Sequence, residues 1–297
     1  MGEPTVLLRR SALGDVVLLG GVTGAIEGPV TVVTATAWVP VAERLVGVDR
    51  VVPWPKDLPD GELAAQIGPG RVVDLHGTPR SRRLARALGG AVATVDKRSL
   101  ARRLRLVWGR GPVRPDVPSL YGEALGVSPR EAPWIHLPAA ERTALALVPG
   151  ASVPTKQWTA EGFARVGRGW DGPVLVLGGP GEEATCDAVA REVPGAEVVC
   201  ESGFDRTFGA LARTEVCVSG DTGLMHLAAA CGATVVGLFG PTHPDDGFWV
   251  HRGEVVQRVL GCRPCSLHGR ERCPLRHHRC MAIDPATVVA AVARVRP

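Results

Sequence analysis

Aromatic side chains are scarce in this chain, 4% of 297 residues, with one Tyr, five Phe and seven Trp. Proteins that hold single-stranded nucleic acid stack its bases on aromatic platforms, so the composition argues against that class. No apolar stretch reaches the roughly 20 residues that cross a bilayer as a helix. The start, MGEPTVLLRRSALGD, lacks a signal peptide's order of basic residues, apolar core and small-residue cleavage site. A cytoplasmic location is therefore expected. Runs of like charge are short and hydrophobic residues make up 45%, which excludes a disordered chain. No short-period repeat is visible. No G-x-G-x-x-G follows the first strand-like run, which counts against a dinucleotide-linked dehydrogenase.

What is present alternates. Strand-like runs at Thr5–Arg9, Val30–Thr34, Val51–Trp54, Val72–Leu75 and Ala91–Val95 are separated by helical segments near Asp15, Val39–Val46, Glu62–Ile67, Arg80–Leu88 and Leu100–Val107. Such alternation predicts a parallel sheet with helices on both faces. Residues 109–138 are rich in Pro and Gly and read as a passage between domains, with one short helix at Ser119–Leu125. The pattern then restarts: strands at Ala144–Val148, Val174–Leu177 and Val198–Cys200, helices from Thr159, Glu182 and Asp205, and a last helix from Asp284-Pro285. The length suits two domains of roughly 100–150 residues, expected at 1–138 and 139–297. Two doubly wound domains with glycine turns at their strand ends imply a ligand in an interdomain cleft.

The densest stretch is VSGDTGLMHLAAACGATVVGLFGPT, Val218–Thr242. It reads as strand, turn, helix and strand, with Asp221 as helix N-cap and Leu224, Leu227, Ala228 and Cys231 as its apolar face. A helix N-terminus beyond a parallel strand is where open α/β sheets bind phosphate. An ordinary capped helix in a strand–helix–strand unit explains the same residues.

Charge is uneven although the net value is only +4. Arg80, Arg82, Arg83, Arg86, Lys97, Arg98, Arg102, Arg103, Arg105, Arg110 and Arg114 face one acid, Asp96. Such a run suits an anionic membrane, a phosphorylated glycolipid or nucleic acid, or is a solvated helical face. Of the eight cysteines, Cys186, Cys200, Cys217 and Cys231 lie in apolar segments and read as buried small hydrophobes. Cys262, Cys265, Cys273 and Cys280, in the segment 262–280, have the spacing C-x2-C-x7-C-x6-C. That spacing fits a bound Zn²⁺ or Fe, free thiols, or, less readily in a reducing compartment, a disulfide. His277 and His278 stand by as alternative ligands.

Four stretches in order then resemble glycosyltransferase family 9, the ADP-heptose:lipopolysaccharide heptosyltransferases. They are LLRRSALGDVVL (Leu7–Leu18), DLHGTPRSRRLAR (Asp74–Arg86), VPGASVPTKQWTAEGFA (Val148–Ala164) and the Val218–Thr242 stretch. His76 stands where the family commonly has Gln, and the N-terminal half is shorter than usual. The resemblance implies a GT-B arrangement, two facing Rossmann-like domains, with the acceptor on the first and the sugar nucleotide on the second. It implies inverting transfer of heptose from ADP-heptose to a sugar hydroxyl of the lipopolysaccharide inner core, by a protein peripheral to the inner membrane.

By the same resemblance Asp15 is the base that takes the acceptor proton, and Lys156 binds the leaving diphosphate. Gly14, Ser152, Glu182, Asp221, Thr222, Gly223, Leu224, Met225 and His226 are expected around the donor, with Glu183 a rival to Glu182. Arg80 and Ser11 are expected on the acceptor side. No D-x-D motif is present, so catalysis needs no metal bridge: a lysine and a helix terminus replace it. Some branches hold iron at this cysteine pattern, and a metal there is expected to be structural. Two other readings stand beside this one: a family member acting on a natural product or protein, and a basic nucleic-acid-binding module with a four-cysteine metal site.

Overall fold

The computed structural model describes residues 2–98, 106, 114–201, 203–249 and 252–296. Most of the helix expected at Leu100–Val107, with Arg102, Arg103, Arg105 and Arg110, lies outside the described residues. The chain divides into two compact units, one of Met1–Ser99 and Pro115–His136, the other built on Leu137–Pro297, to which Arg114 also belongs. Among the described residues no helix is long and apolar enough to cross a membrane.

The first unit holds a parallel sheet of β1 (Thr5–Leu8), β2 (Val30–Thr34), β3 (Arg50–Pro53), β4 (Arg71–Asp74) and β5 (Ala93–Thr94), in the order β3-β2-β1-β4-β5. Val6, Leu8, Val33 and Val72 pack with Trp54, Leu63 and Leu84 into one core. The expected helix over Val39–Val46 is cut to Val39–Ala42. Tertiary pairing takes the remainder: Leu45 bridges Ile135, and Val46 N donates to Trp134 O at 2.8 Å. For the same reason much of the expected passage between domains is part of this unit. Its helix Val117–Leu125 is capped by Asp116, whose carboxylate accepts from Ser119 N at 2.7 Å. The helix after β1 is split into Leu13–Val17 and Gly20–Thr23. Gly20 lies so close to Trp134 that a Cβ would come within 2.5 Å of its Cβ, which is why a glycine stands there.

The second unit holds six parallel strands: β6 (Ala144–Val148), β7 (Val174–Gly178), β8 (Glu197–Cys200), β9 (Thr214–Gly220), β10 (Thr234–Phe239) and β11 (Gly253–Gln257). Their order is β11-β10-β9-β6-β7-β8. β6 and β7 are buried at every residue, as continuous apolar runs in a doubly covered parallel sheet must be. Leu145, Leu147, Val176, Val216 and Val236 form the core with Phe163, Val288 and Val292 from the flanking helices. Thr159 and Asp284 cap the helices Ala160–Arg168 and Pro285–Val295. β11 was not expected, because GEVVQ is short and half polar. It is an edge strand, held by its register on β10.

Each strand order reverses once, between β1 and β4 in the first unit and between β6 and β9 in the second. Helices leave such a pair of neighbouring strands in opposite directions, so the loops at their carboxyl ends open a crevice.

Candidate functional site

In the second unit the two switch-point loops meet through one ion pair. Lys156 ends a short turn, Pro154–Lys156, in the loop after β6, and Asp221 follows β9 directly. Lys156 Nζ lies 2.8 Å from Asp221 Oδ2 and donates to Asp221 O at 2.8 Å, with side-chain exposures of 11% and 9%. Burial alone would raise the Asp221 carboxyl. The charge and hydrogen bond of Lys156, helped by His226, pull it below the ordinary carboxylate value. Close approach is possible because Gly220 has no side chain: a Cβ there would sit 3.2 Å from Lys156 O.

The pair corrects one expectation. Asp221 does not cap the helix Gly223–Ala230. Thr222 does, its Oγ1 accepting from Met225 N at 3.3 Å. A carboxylate that has a buried ammonium to neutralise is held by that charge, and the next hydroxyl takes over the cap. This helix is also not amphipathic. Met225, His226 and every residue to Ala230 are buried, whereas Leu224, expected on the apolar face, is only partly covered. The first-turn N–H groups of Gly223 and Leu224 have no acceptor within the helix.

The other expected donor residues divide. Ser152 is exposed in the loop after β6. Glu182 is committed to its own turn, its Oε2 accepting from Gly179 N at 2.8 Å. Its carboxylate also lies against Gly150, where an added Cβ would fall 2.2 Å from the carboxyl carbon. Glu183, the rival, accepts from Gly181 N at 3.0 Å in an exposed position. Gly14 belongs to the first unit, in the helix Leu13–Val17.

In the first unit Asp15 lies in that same short helix, and its carboxylate accepts from Ala12 N at 3.2 Å. Arg9, at the end of β1, pairs with Asp15 Oδ2 at 2.5 Å and donates from Nη1 to Leu75 O at 2.7 Å, so one guanidinium ties the β1 loop to the end of β4. Tyr121 OH donates to Asp15 O at 3.3 Å. Asp74, fully buried, accepts from His76 N (3.0 Å), Gly77 N (2.8 Å) and Ser81 Oγ (2.8 Å), which folds the turn that carries His76. Arg80 is partly engaged: its Nη2 donates to Pro55 O and Lys56 O at 2.8 and 2.6 Å, and it lies over Trp54 at 5.7 Å. Ser11 is half-buried beside Ala12. Arg9 and Asp74 lie inside the motifs LLRRSALGDVVL and DLHGTPRSRRLAR, but nothing local in the sequence marks a role for either. Their partners, Leu75 O and the turn amides, exist only once the strands are side by side.

The cysteine segment converges without closing. All eight cysteines are free thiols. Cys265, Cys273 and Cys280 line one small cavity with Thr155, Arg270 and His278. Burial, then the charges of Cys262 and Cys273, raises the Cys265 thiol. Four soft donors suit Zn²⁺ or Fe in kind. In spacing they do not fit: among the described residues no three Cys, His, Asp or Glu side chains are placed to share one ion. His277 Nε2 lies 3.9 Å from Cys262 Sγ, and His278 Nε2 lies 2.8 Å from Thr155 O.

His76 generates a pH prediction. Burial first, then the positive charges of Arg9 and Lys97, push its imidazole down from 6.5 to about 4, against the pull of Asp74 and Asp15. The unfolded chain therefore takes up a proton near 6.5 that the folded chain resists until about 4. Stability contributed this way is present above 6.5 and is lost as pH falls through that window. In His76→Gln, urea unfolding across that window should show a shallower dependence on pH, by up to about one proton. Equal slopes in the two proteins would contradict the assignment.

The comparisons with known proteins agree with one another. A model of the family described as glycosyltransferase family 9 (heptosyltransferase) matches residues 116–275, more than half of the chain. Lipooligosaccharide heptosyltransferase 2 of Campylobacter jejuni is 30% identical over 157 residues, 49% of this chain and 48% of that protein. The chain thus spans about half the length of the curated relatives it matches. The structure of E. coli ADP-heptose lps heptosyltransferase II is similar with a TM-score of 0.72 at 17% identity, over 98% of both chains. The dodecameric iron-containing heptosyltransferase TibC, from enterotoxigenic E. coli and solved with ADP-D-beta-D-heptose, gives 0.62 at 16% identity, over 99% of this chain and 77% of that one. At those identities the likeness is one of fold, two parallel-sheet α/β domains of the GT-B kind. With the family model matching more than half of its residues, the chain belongs to glycosyltransferase family 9, the heptosyltransferase family.

Proposed function

We propose that the protein is an inverting glycosyltransferase that moves a heptose from ADP-heptose to a sugar hydroxyl of the lipopolysaccharide inner core. The observation that carries this reading is the Lys156–Asp221 pair beside the N-terminus of the helix Gly223–Ala230, whose first-turn amides have no acceptor within the helix. An ammonium and a helix N-terminus at a switch point form a receptor for a diphosphate. The names of the relatives and the ligand of TibC support ADP-heptose as the nucleotide sugar.

In this reading the acceptor oxygen attacks the anomeric carbon from the face opposite ADP, and Asp15 takes the hydroxyl proton. Arg9 fixes the carboxylate for that task, and Asp15 remains the more exposed partner of the pair at 21% against 9%. As the bond to ADP breaks, charge grows on the diphosphate. Lys156 Nζ and the first-turn amides of Gly223 and Leu224 are preorganised to meet it. Ser152 donates to the same diphosphate, while Glu182 faces the adenosine side. Arg80 and Ser11 serve the acceptor, whose acidic or phosphorylated groups suit the guanidinium. Work at the cytoplasmic face of the inner membrane, as a peripheral protein, is supported by exposed Arg82 and Arg86 on the helix Pro79–Ala87.

A metal at Cys262, Cys265, Cys273 and Cys280, which are not placed to share one ion, is not part of this reading. No chemical step passes through it. Protein purified without a histidine tag should contain Zn and Fe well below one equivalent, and Cys265→Ser should leave that content unchanged. Close to one equivalent of metal, lost in Cys265→Ser, would contradict that spacing.

The catalytic assignment has its own test in steady-state kinetics with varied ADP-heptose. Asp15→Asn should bind ADP nearly as the parent does and lose turnover by a factor on the order of 10²–10⁴. Lys156→Ala should lower kcat itself by roughly 10²–10³, because its contact strengthens as charge develops. His226→Ala should mainly raise KM for the donor. Near-normal turnover in Asp15→Asn, or a change in KM alone in Lys156→Ala, would overturn the assignments.

A further inference from the structure

The cysteine-rich segment does more than pack at the edge of its unit: it grips the loop that carries Lys156 and the loop after β10. Thr155, the residue before Lys156, is buried. Its Oγ1 donates to Arg270 O at 2.6 Å and accepts from Arg270 N at 2.7 Å. Its backbone is engaged as well, N donating to Arg270 O at 3.3 Å and O lying 2.8 Å from His278 Nε2. Gly269, at φ +81°, lies against the lysine's own stem: an added Cβ would be 3.0 Å from Lys156 Cγ, 3.3 Å from Cε and 2.4 Å from Val153 Cγ2. On the other side, Cys265 N donates to Pro241 O at 3.1 Å, and Arg263 donates to Gly240 O and, at 3.0 Å, to Thr242 O. The loop after β6 and the loop after β10 are thus clamped by one segment some 115 residues along the chain from Thr155.

We infer that the segment 262–280 is a positioning element for Lys156, acting through Thr155, with His278 and Gly269 holding the loop and the lysine stem from the outside. The physical reason is the flexibility of lysine. Four rotatable bonds leave an ammonium free to wander unless its stem and its backbone are both confined. Charge stabilisation counts only when the charge is in place before the reaction. Asp221 holds the tip. Thr155 fixes the backbone origin, and Gly269 leaves room for the stem in a single track. A donor diphosphate that draws Nζ away from Asp221 would meet a lysine still anchored at its base. The inference rests on the role proposed above for Lys156, and it assigns a role in turnover to residues that touch no reactant.

A double-mutant cycle on kcat tests it and separates it from the reading it rests on. Thr155→Val loses both side-chain hydrogen bonds at near-constant volume, and Thr155→Ser keeps them. In the parent background Thr155→Val should lower kcat by roughly 10–100-fold, the scale of a misplaced catalytic group, and Thr155→Ser should restore most of it. In the Lys156→Ala background Thr155→Val should change kcat by less than about twofold, because no ammonium remains to misplace. ADP affinity, followed by titration, should fall in the first background and not in the second. Equal losses of kcat in both backgrounds would mean that Thr155 acts on stability alone, and would overturn the inference. If Lys156→Ala leaves kcat unchanged, the function assigned to the lysine fails instead. Should Thr155→Val not fold, His278→Asn carries the same cycle with the same opposing outcomes, since it removes the segment's grip on Thr155 O from a half-exposed position.

Discussion

Burying an ammonium against a carboxylate is the constraint that organises the second unit. Each charge taken out of water costs several kcal/mol unless geometry and further hydrogen bonds repay it. Lys156 and Asp221 meet that demand with two contacts of 2.8 Å and little exposure on either side. The surroundings follow from it. Gly220 is bare so that the lysine backbone can approach. Thr222 takes the helix cap that Asp221 has left. The neighbouring helix is buried from Met225 through Ala230. In the proposed role, the helix N-terminus beside the pair faces a ligand whose charge rises during reaction.

The first unit repeats the plan with the exposures shifted. Arg9 and Asp15 also form an ion pair at the carboxyl end of a first strand, and Arg9 again reaches the end of the fourth, at Leu75 O. Here the cation is the more deeply buried partner and the carboxylate the more accessible one. That difference matches the roles proposed for the two acids. Asp15 has to reach a reacting hydroxyl, whereas Asp221 has to hold a lysine. Asp74 supports the arrangement from below by folding the turn after β4, and that turn carries His76 into the field of Arg9 and Lys97.

The strands were legible because parallel strands covered on both faces are unbroken apolar runs. Val30–Thr34 and Ala144–Val148 could be bounded to the residue, and the helix starts at Thr159 and Asp284-Pro285 were visible from local chemistry alone. What stayed hidden depends on partners far along the chain. Asp221 looked like a cap because the lysine that claims it is 65 residues away. The helix from Val39 looked long because Trp134 and Ile135, which divert its end, are remote. β11 is an edge strand whose composition is half polar, and only its pairing with β10 marks it. Lys156 could be picked out through its motif. Thr155, which anchors it, could not, since nothing in the sequence ties it to Arg270.

The buried pair in the second unit is proposed as a receptor for the diphosphate of a nucleotide. Calorimetric titration of ADP and of adenosine into the parent protein and Lys156→Ala tests this without any acceptor. A charge-assisted contact contributes enough that ADP should bind at least about tenfold more weakly to the variant, while adenosine, which lacks the diphosphate, should bind both proteins alike. ADP affinity unchanged by Lys156→Ala, or lost in parallel with that of adenosine, would contradict it.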